Sequence, residues 1–174
     1  MRNLLLGLGV AALIATPTGA ALPNGSKAPD FTTTGALAGK PFKIHLAEQL
    51  RKGPVVLYFF PKAFTKGCTL EAHAFSDATK DFKKAGATVI GLSADDLPTL
   101  QKFSIEECRN SFPVATATAA TQKAYDVAWA EHPGITTRTS YVIDRRGRIV
   151  MVHDDLDWSQ HVAKTLAAVK ALKR

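Results

Sequence analysis

Between Val55 and Phe75 the sequence VVLYFFPKAFTKGCTLEAHAF sets a cysteine where an apolar strand hands over to a helix. Val55 to Phe60 is an unbroken apolar run, rich in β-branched and aromatic residues. Such a run reads as a central strand buried on both faces, which requires helices packed on each side of a sheet. Pro61 ends the run. From Cys68 onward Leu70, Ala74, Phe75, Ala78 and Phe82 recur at helical spacing, and Lys83-Lys84 with Gly86 supply stop chemistry. A cysteine at a helix start meets orphan backbone N–H groups and the positive end of the helix dipole, both of which favour a thiolate. The stretch therefore points to an α/β chain with its chemistry at one sulfur.

The remaining pattern agrees with that class. Phe42-Lys43-Ile44 alternates as a short edge strand, and Leu46 to Leu50 makes about one helical turn before the turn at Lys52-Gly53-Pro54. Ala87 to Ser93 reads as a second buried strand. Asp95-Asp96 with Pro98 then starts a helix whose apolar face holds Leu97, Leu100 and Phe103. Cys108, eight residues after Leu100, falls about 80° round that helix, at the edge of its apolar face. Phe112 to Ala115 reads as a short edge strand, where proline is tolerated. Ala119 to Val127 reads as a brief helix. Thr139–Asp144 and Arg148–Val152 form a hairpin across Arg145-Arg146-Gly147, and Asp157-Trp158-Ser159 opens a last helix. The order predicts a mixed central β-sheet flanked by helices, which fits a thioredoxin-like fold.

With 174 residues the chain is sized for one domain. Its start differs from the rest. A positive Met1-Arg2-Asn3, a 12-residue apolar run to Ala15 and a small-residue exit through Ala21 have the layout of a secretory signal. The run is shorter than the roughly 20 residues a membrane span needs. The expectation is a cleaved signal over 1–21, a flexible leader over 22–27 and a domain over 28–174. The mature protein would be exported, periplasmic and free of the membrane. Without the signal, 21 Lys+Arg face 15 Asp+Glu. These basic residues are scattered, which argues against a nucleic-acid surface, since that needs a clustered stripe with aromatics. Two cysteines in an exported chain suggest one disulfide, either a static staple or a bond made and broken during turnover.

The residues around Cys68 narrow the chemistry. A thiol–disulfide exchanger needs two thiols at C-x-x-C spacing, and Thr65 stands where the first would be. The same absence excludes a cysteine-rich zinc site, and the histidines show no ligand spacing, so no metal is expected. What remains is one nucleophilic sulfur, beside a hydroxyl and preceded by Gly67. Arg138, at the mouth of a distant strand, is a candidate to hold the thiolate and stabilise charge on a reacting oxygen.

Pro61, Thr65 and Cys68 reproduce the P-x-x-x-T-x-x-C signature of peroxiredoxins. The wider context resembles the peroxiredoxin Q, or bacterioferritin comigratory protein, branch of the AhpC/TSA superfamily. It comprises Gly67-Cys68-Thr69, Glu71, Phe75-Ser76-Asp77, Val89 to Asp95, Phe112-Pro113, Arg138 to Asp144 and Gly147-x-Ile149. The likeness runs from Ala28 to about Arg174. It implies a thiol-dependent peroxidase that needs no cofactor and reduces hydrogen peroxide and organic hydroperoxides. Cys68 would attack the peroxide, Thr65 and Arg138 orient and polarise it, and Pro61 shield the sulfur. Glu71 would support Arg138 from behind, and the N–H groups of Gly67 and Cys68 complete an anion site. Many relatives carry a resolving cysteine five residues after the first, where this chain has His73. Others carry it on the next helix, which makes Cys108 the candidate. Ala63 and Lys66 replace the aspartate and proline common in the branch. A thioredoxin-like donor and a monomeric state are further implications. Two alternatives stand beside this reading: an exported thiol–disulfide protein, and a non-enzymatic binding module held by a static Cys68–Cys108 bond.

Overall fold

The computed structural model describes residues 21–172. The signal expected over 1–21 lies, but for Ala21, outside the described residues. The apolar run becomes β3 (Val55–Phe59), all five residues buried. It sits deep in a seven-stranded sheet of order β2-β1-β5-β4-β3-β6-β7. The other strands are β1 (Thr32–Leu37), β2 (Lys40–His45), β4 (Thr88–Ser93), β5 (Val114–Thr116), β6 (Thr139–Ile143) and β7 (Ile149–Asp154). β4 runs parallel to β3 and to β5, while β6 is antiparallel to β3 and pairs with β7 as a hairpin. The sheet is mixed, as expected.

The period of two along β3 divides the core. Val56, Tyr58 and Phe60 face one layer, built with α2 (Lys66–Lys84), α3 (Leu97–Glu106) and α5 (His161–Ala171). Val55, Leu57 and Phe59 face the other, with α1 (Leu46–Lys52), Phe31, and Tyr125 just beyond α4 (Ala119–Ala124). Each fully buried side chain of this size contributes about 1.5–3 kcal/mol. Both cysteines lie in the first layer.

The structure departs from the sequence reading at five places. Thr32–Leu37 is a strand that its threonines and Gly35 hid; it pairs with β2 on one side and β5 on the other. β5 is consequently interior, not an edge, and Pro113 stands just before it, so no ladder bond is lost. α3 ends at Glu106, leaving Cys108 in the following turn rather than on the helix face. The last helix is preceded by a separate 3-10 turn, Trp158–Gln160, whose Ser159 N–H is capped by Asp157. Residues 22–27, read as a flexible leader, bond to the β7 hairpin: Gly25 N donates to Ile149 O (2.7 Å), and Ile149 N donates to Ser26 O (2.9 Å).

What positions the site is the direction of three strands. β3 delivers the chain to the head of α2, and the β3–β6 register pairs Phe59 with Thr139. The residues just before β6 therefore lie beside the loop that starts α2. Thr136 Oγ1 donates to Phe60 O (2.9 Å), and Asp95 Oδ2 accepts from Ala63 N (2.8 Å), so the loop is held from two directions. Tyr58 stacks on Phe75 of α2 at 4.3 Å between ring centroids, and Gly91 of β4 makes room for it. A β-carbon at Gly91 would lie 2.8 Å from the Tyr58 ring. Gly91→Ala is expected to lower stability by about 1–3 kcal/mol, read from the urea midpoint; an unshifted midpoint would show that the ring has room to move.

Candidate active site

Thr65 is the residue from which α2 departs, with φ −79° and ψ 149°, and its carbonyl accepts from Thr69 N (2.9 Å). Its hydroxyl does not cap the helix. It donates instead to Lys62 O (2.9 Å) and stays exposed, leaving oxygen lone pairs open to solvent. Phe64 beside it takes the left-handed region at φ 62°, with its ring edge-on to Phe103 of α3 at 5.2 Å. Non-glycine residues rarely hold that conformation unless their surroundings fix it. Pro61 lies partly buried at the exit of β3.

Cys68 is the third residue of α2 and is 1% exposed. Arg138 comes to it from the head of β6, with Nη2 3.5 Å from Sγ. The guanidinium is used on every nitrogen: Nη1 donates to Glu71 Oε2 and Nε donates to Leu156 O (2.9 Å). Three directed bonds fix the fork beside the sulfur, a geometry that a lysine ammonium cannot supply. Gly67 permits the approach, since a β-carbon there would lie 3.1 Å from Arg138 Nη2. Burial opposes the charge on Arg138, but Glu71 and Cys68 more than restore it and hold the guanidinium above its usual range. A cation at one side and the first turn of α2 at the other both favour negative charge at this sulfur.

Behind Arg138 lies a buried polar chain. Glu71 is fully buried; burial pushes its carboxyl up to about 8, against the pull of Arg138. His161, also fully buried, places Nδ1 3.7 Å from Glu71 Oε1 and 2.8 Å from Ser140 Oγ. Burial pulls its imidazole down to about 4, so it is neutral near pH 7. The scattered spacing of the histidines gave no hint of this; only packing of α5 on α2 brings His161 to Glu71.

Cys108 is fully buried in the turn after α3, where its N–H donates to Phe103 O (3.0 Å). Burial, with a smaller push from Glu107, holds its thiol well above the usual range, hence protonated. The two residues after it, Arg109 and Asn110, are both left-handed, at φ 50° and 58°. This turn is clasped to α2 at three points. His73 Nε2 lies 2.7 Å from Glu107 Oε2, Arg109 Nη1 donates to Asp77 Oδ1 (2.8 Å), and the Ser76 and Ser111 hydroxyls bond at 2.8 Å. His73 thus spends the position of a nearby thiol on a clasp. Cys68 and Cys108 are both free. The static staple required by the binding-module reading is not what this structure contains.

The structure so brings Cys68, Gly67, Glu71 and Arg138 into one buried cluster, with Thr65 and Pro61 on the loop at its edge and Cys108 on a separate element. A cleft of about 540 Å³ lined by Trp129, Glu131, Thr137, Asp154 and Leu156 includes none of these residues.

A lone, arginine-braced cysteine at a helix start on a thioredoxin-like sheet is the frame of a thiol peroxidase, and comparison with known proteins gives the family. The AhpC/TSA family matches residues 24–152, and the chain belongs to it. It is 33% identical over 149 residues to peroxiredoxin Q, chloroplastic, of Arabidopsis thaliana, covering 85% of this chain and 67% of that protein. It is 30% identical over 172 residues to the chloroplastic peroxiredoxin Q of Oryza sativa subsp. japonica, covering 90% of this chain and 77% of the relative. Among solved structures, peroxidoxin BcpB from Mycobacterium tuberculosis superposes with TM-score 0.75 at 30% identity, covering 87% of this chain and 98% of the other. Mycobacterium tuberculosis AhpC shares the fold at TM-score 0.77 and 22% identity, covering 88% and 94%. The chain is a thiol-dependent peroxidase of the peroxiredoxin group, acting on a peroxide and recycled by a thiol reductant.

Gly67→Ala is expected to displace the Arg138 fork and slow the reaction with hydrogen peroxide by about 10–100-fold, with the urea midpoint little changed. Stopped-flow tryptophan fluorescence measures the rate, and a wild-type rate would show that the contact does not position Arg138.

Proposed function

We propose that Cys68 is the peroxidatic cysteine of an exported peroxidase of the peroxiredoxin Q type. The observation that carries this is Arg138 Nη2 at 3.5 Å from a sulfur in the first turn of α2. The thiolate attacks the terminal oxygen of ROOH, the S–O bond forms as the O–O bond breaks, and Cys68 becomes a sulfenic acid. Arg138 offers a donor edge to the anionic oxygens of that step. Thr65, whose exposed hydroxyl keeps open lone pairs, accepts a hydrogen bond from the peroxide O–H and orients the incoming molecule. Pro61 closes one side of the sulfur against water.

Cys108 serves as the resolving cysteine. Its thiol condenses with the Cys68 sulfenic acid, releasing water and forming the disulfide. It lies just past the end of a helix, in a turn with two left-handed residues, where the chain can open without breaking a sheet. The clasp from His73, Ser76 and Asp77 has to release for Cys108 to leave this turn. A thioredoxin-like dithiol then reduces the bond, and the protein works as a monomer. Export rests on the signal pattern of the N-terminal sequence, with cleavage after Ala20 or Ala21 and a periplasmic destination.

Cys68→Ser is expected to abolish peroxide consumption, followed by loss of hydrogen peroxide from solution; retained activity would sink the mechanism. Cys108→Ser should complete one stoichiometric turnover, form no disulfide by thiol titration, and then stop with a thioredoxin donor. Sustained cycling at the wild-type rate would remove Cys108 from the resolving role.

A further inference from the structure

One carboxylate oxygen of Glu71 has no partner. Oε2 accepts from Arg138, but Oε1 is fully buried and without a hydrogen bond among the described residues. The atom that faces it is His161 Nδ1, 3.7 Å away. His161 Nε2 lies 2.9 Å from Asp155 O, a carbonyl that can only accept, so Nε2 carries the ring hydrogen. Nδ1 of the neutral ring is therefore a lone pair, and the Ser140 hydroxyl donates to it. An ionised Glu71 would turn an unsatisfied negative oxygen towards that lone pair in a dry interior, which is costly. A proton on Oε1 removes the buried negative charge and turns an O–H, not a second lone pair, towards Nδ1.

Charge count leads to the same place. One guanidinium is shared between Cys68 and Glu71. With both ionised, the buried cluster carries a net negative charge; with one ionised, it is neutral. Asp157 acts on Arg138 and His161 from the exposed start of the 3-10 turn, outside the buried cluster; the other groups around Glu71 do not alter the count. They are neutral His161 of α5, His153 of β7 with its ring 4.5 Å from that of His161, and the buried phenol of Tyr58 on β3. Burial of Glu71 already holds its carboxyl near 8.

We propose that Cys68 and Glu71 share one proton across Arg138: the reduced protein holds a Cys68 thiolate and a neutral Glu71, and Glu71 releases its proton as Cys68 is oxidised. This rests on Cys68 being the sulfur that peroxide oxidises. The balance closes. The thiolate takes HO from ROOH to become S–OH, the electron pair of the O–O bond leaves on RO⁻, and the Glu71 proton makes ROH and a carboxylate. Arg138 is then paired with Glu71 alone, and the cluster stays neutral. After the disulfide has formed, a dithiol donor reduces it. Its two protons go to Cys108 and to Glu71, restoring a thiolate at Cys68. Glu71 is thus a proton-holding residue that acts beside the reaction and not on the sulfur itself.

Infrared difference spectroscopy of the full chain, reduced against treated with one equivalent of hydrogen peroxide, tests this without any substitution. A carboxylic-acid carbonyl band should be present in the reduced protein, vanish on oxidation, and shift when glutamate is labelled with carbon-13. Titrating thiols in the same sample separates the two readings. If no thiol is lost, Cys68 is not the peroxide target; if thiols are lost and no glutamic-acid band disappears, proton sharing alone is overturned. In stopped flow, the wild-type rate should fall above a pH of about 8 as Glu71 loses its proton, by about tenfold per pH unit. Glu71→Gln, a permanently neutral stand-in, should lose that alkaline fall while still reacting. An unchanged alkaline fall in Glu71→Gln would also overturn the proposal.

Discussion

Arg138 is the hinge of this architecture. It is a single buried cation that reaches the head of α2 from β6 and holds Cys68 with one nitrogen and Glu71 with another. A charge in that position is tolerable only while its partners stay in place, because an unpaired ion in the interior costs several kcal/mol. Much of the surrounding structure can be understood as keeping it paired. Gly67 withholds a β-carbon, Leu156 O fixes Nε, and His161 with Ser140 backs the far side of Glu71. The mixed sheet makes the encounter possible at all. A parallel neighbour in place of β6 would start at the opposite end of β3, and Arg138 would lie a strand length from the sulfur.

The parts legible in the sequence were those written in local periodicity. Val55 to Phe60 read as a central strand because every residue is apolar, and it is buried throughout. α2 was visible in the 3.6-residue rhythm from Leu70 to Phe82; that Arg138 lies against both Cys68 and Glu71 is a contact between distant segments that periodicity does not carry. β1 was invisible, since Gly35 and Ala36 interrupt the β propensity of its three threonines and no apolar alternation marks it; its pairing with β2 and β5 is a tertiary decision. Cys108 was placed on a helix that ends two residues earlier, the usual weakness of boundaries read from spacing. Thr65, expected to orient the peroxide, donates its hydroxyl to Lys62 O, a contact its spacing did not reveal. His161 was beyond reach altogether, because nothing local distinguishes it from a surface histidine at a helix start.

The two cysteines show how one apolar layer sustains opposite chemical characters. Both sulfurs pack among the aromatic side chains on the same face of the sheet. Cys68 has a guanidinium and a helix start beside it, whereas Cys108 has apolar side chains, the Tyr58 phenol and the acidic side chain of Glu107, next to it in sequence. Burial pushes the Cys108 thiol towards its neutral form, whereas the Cys68 sulfur has a fixed donor within reach. The two sulfurs differ in surroundings and not in exposure: both are buried, and only Cys68 has the guanidinium beside it.

The clasp of Glu107, Arg109 and Ser111 onto α2 has a kinetic meaning. Each contact is modest and partly solvated, but they grip the turn on both sides of Cys108. In the proposed resolving role, Cys108 joins a second sulfur only after the turn lets go. That release is a first-order event with its own clock, and no concentration of oxidant hastens it. The proposed cycle would therefore have two gears: capture of peroxide, which scales with supply, and opening of the turn, which does not.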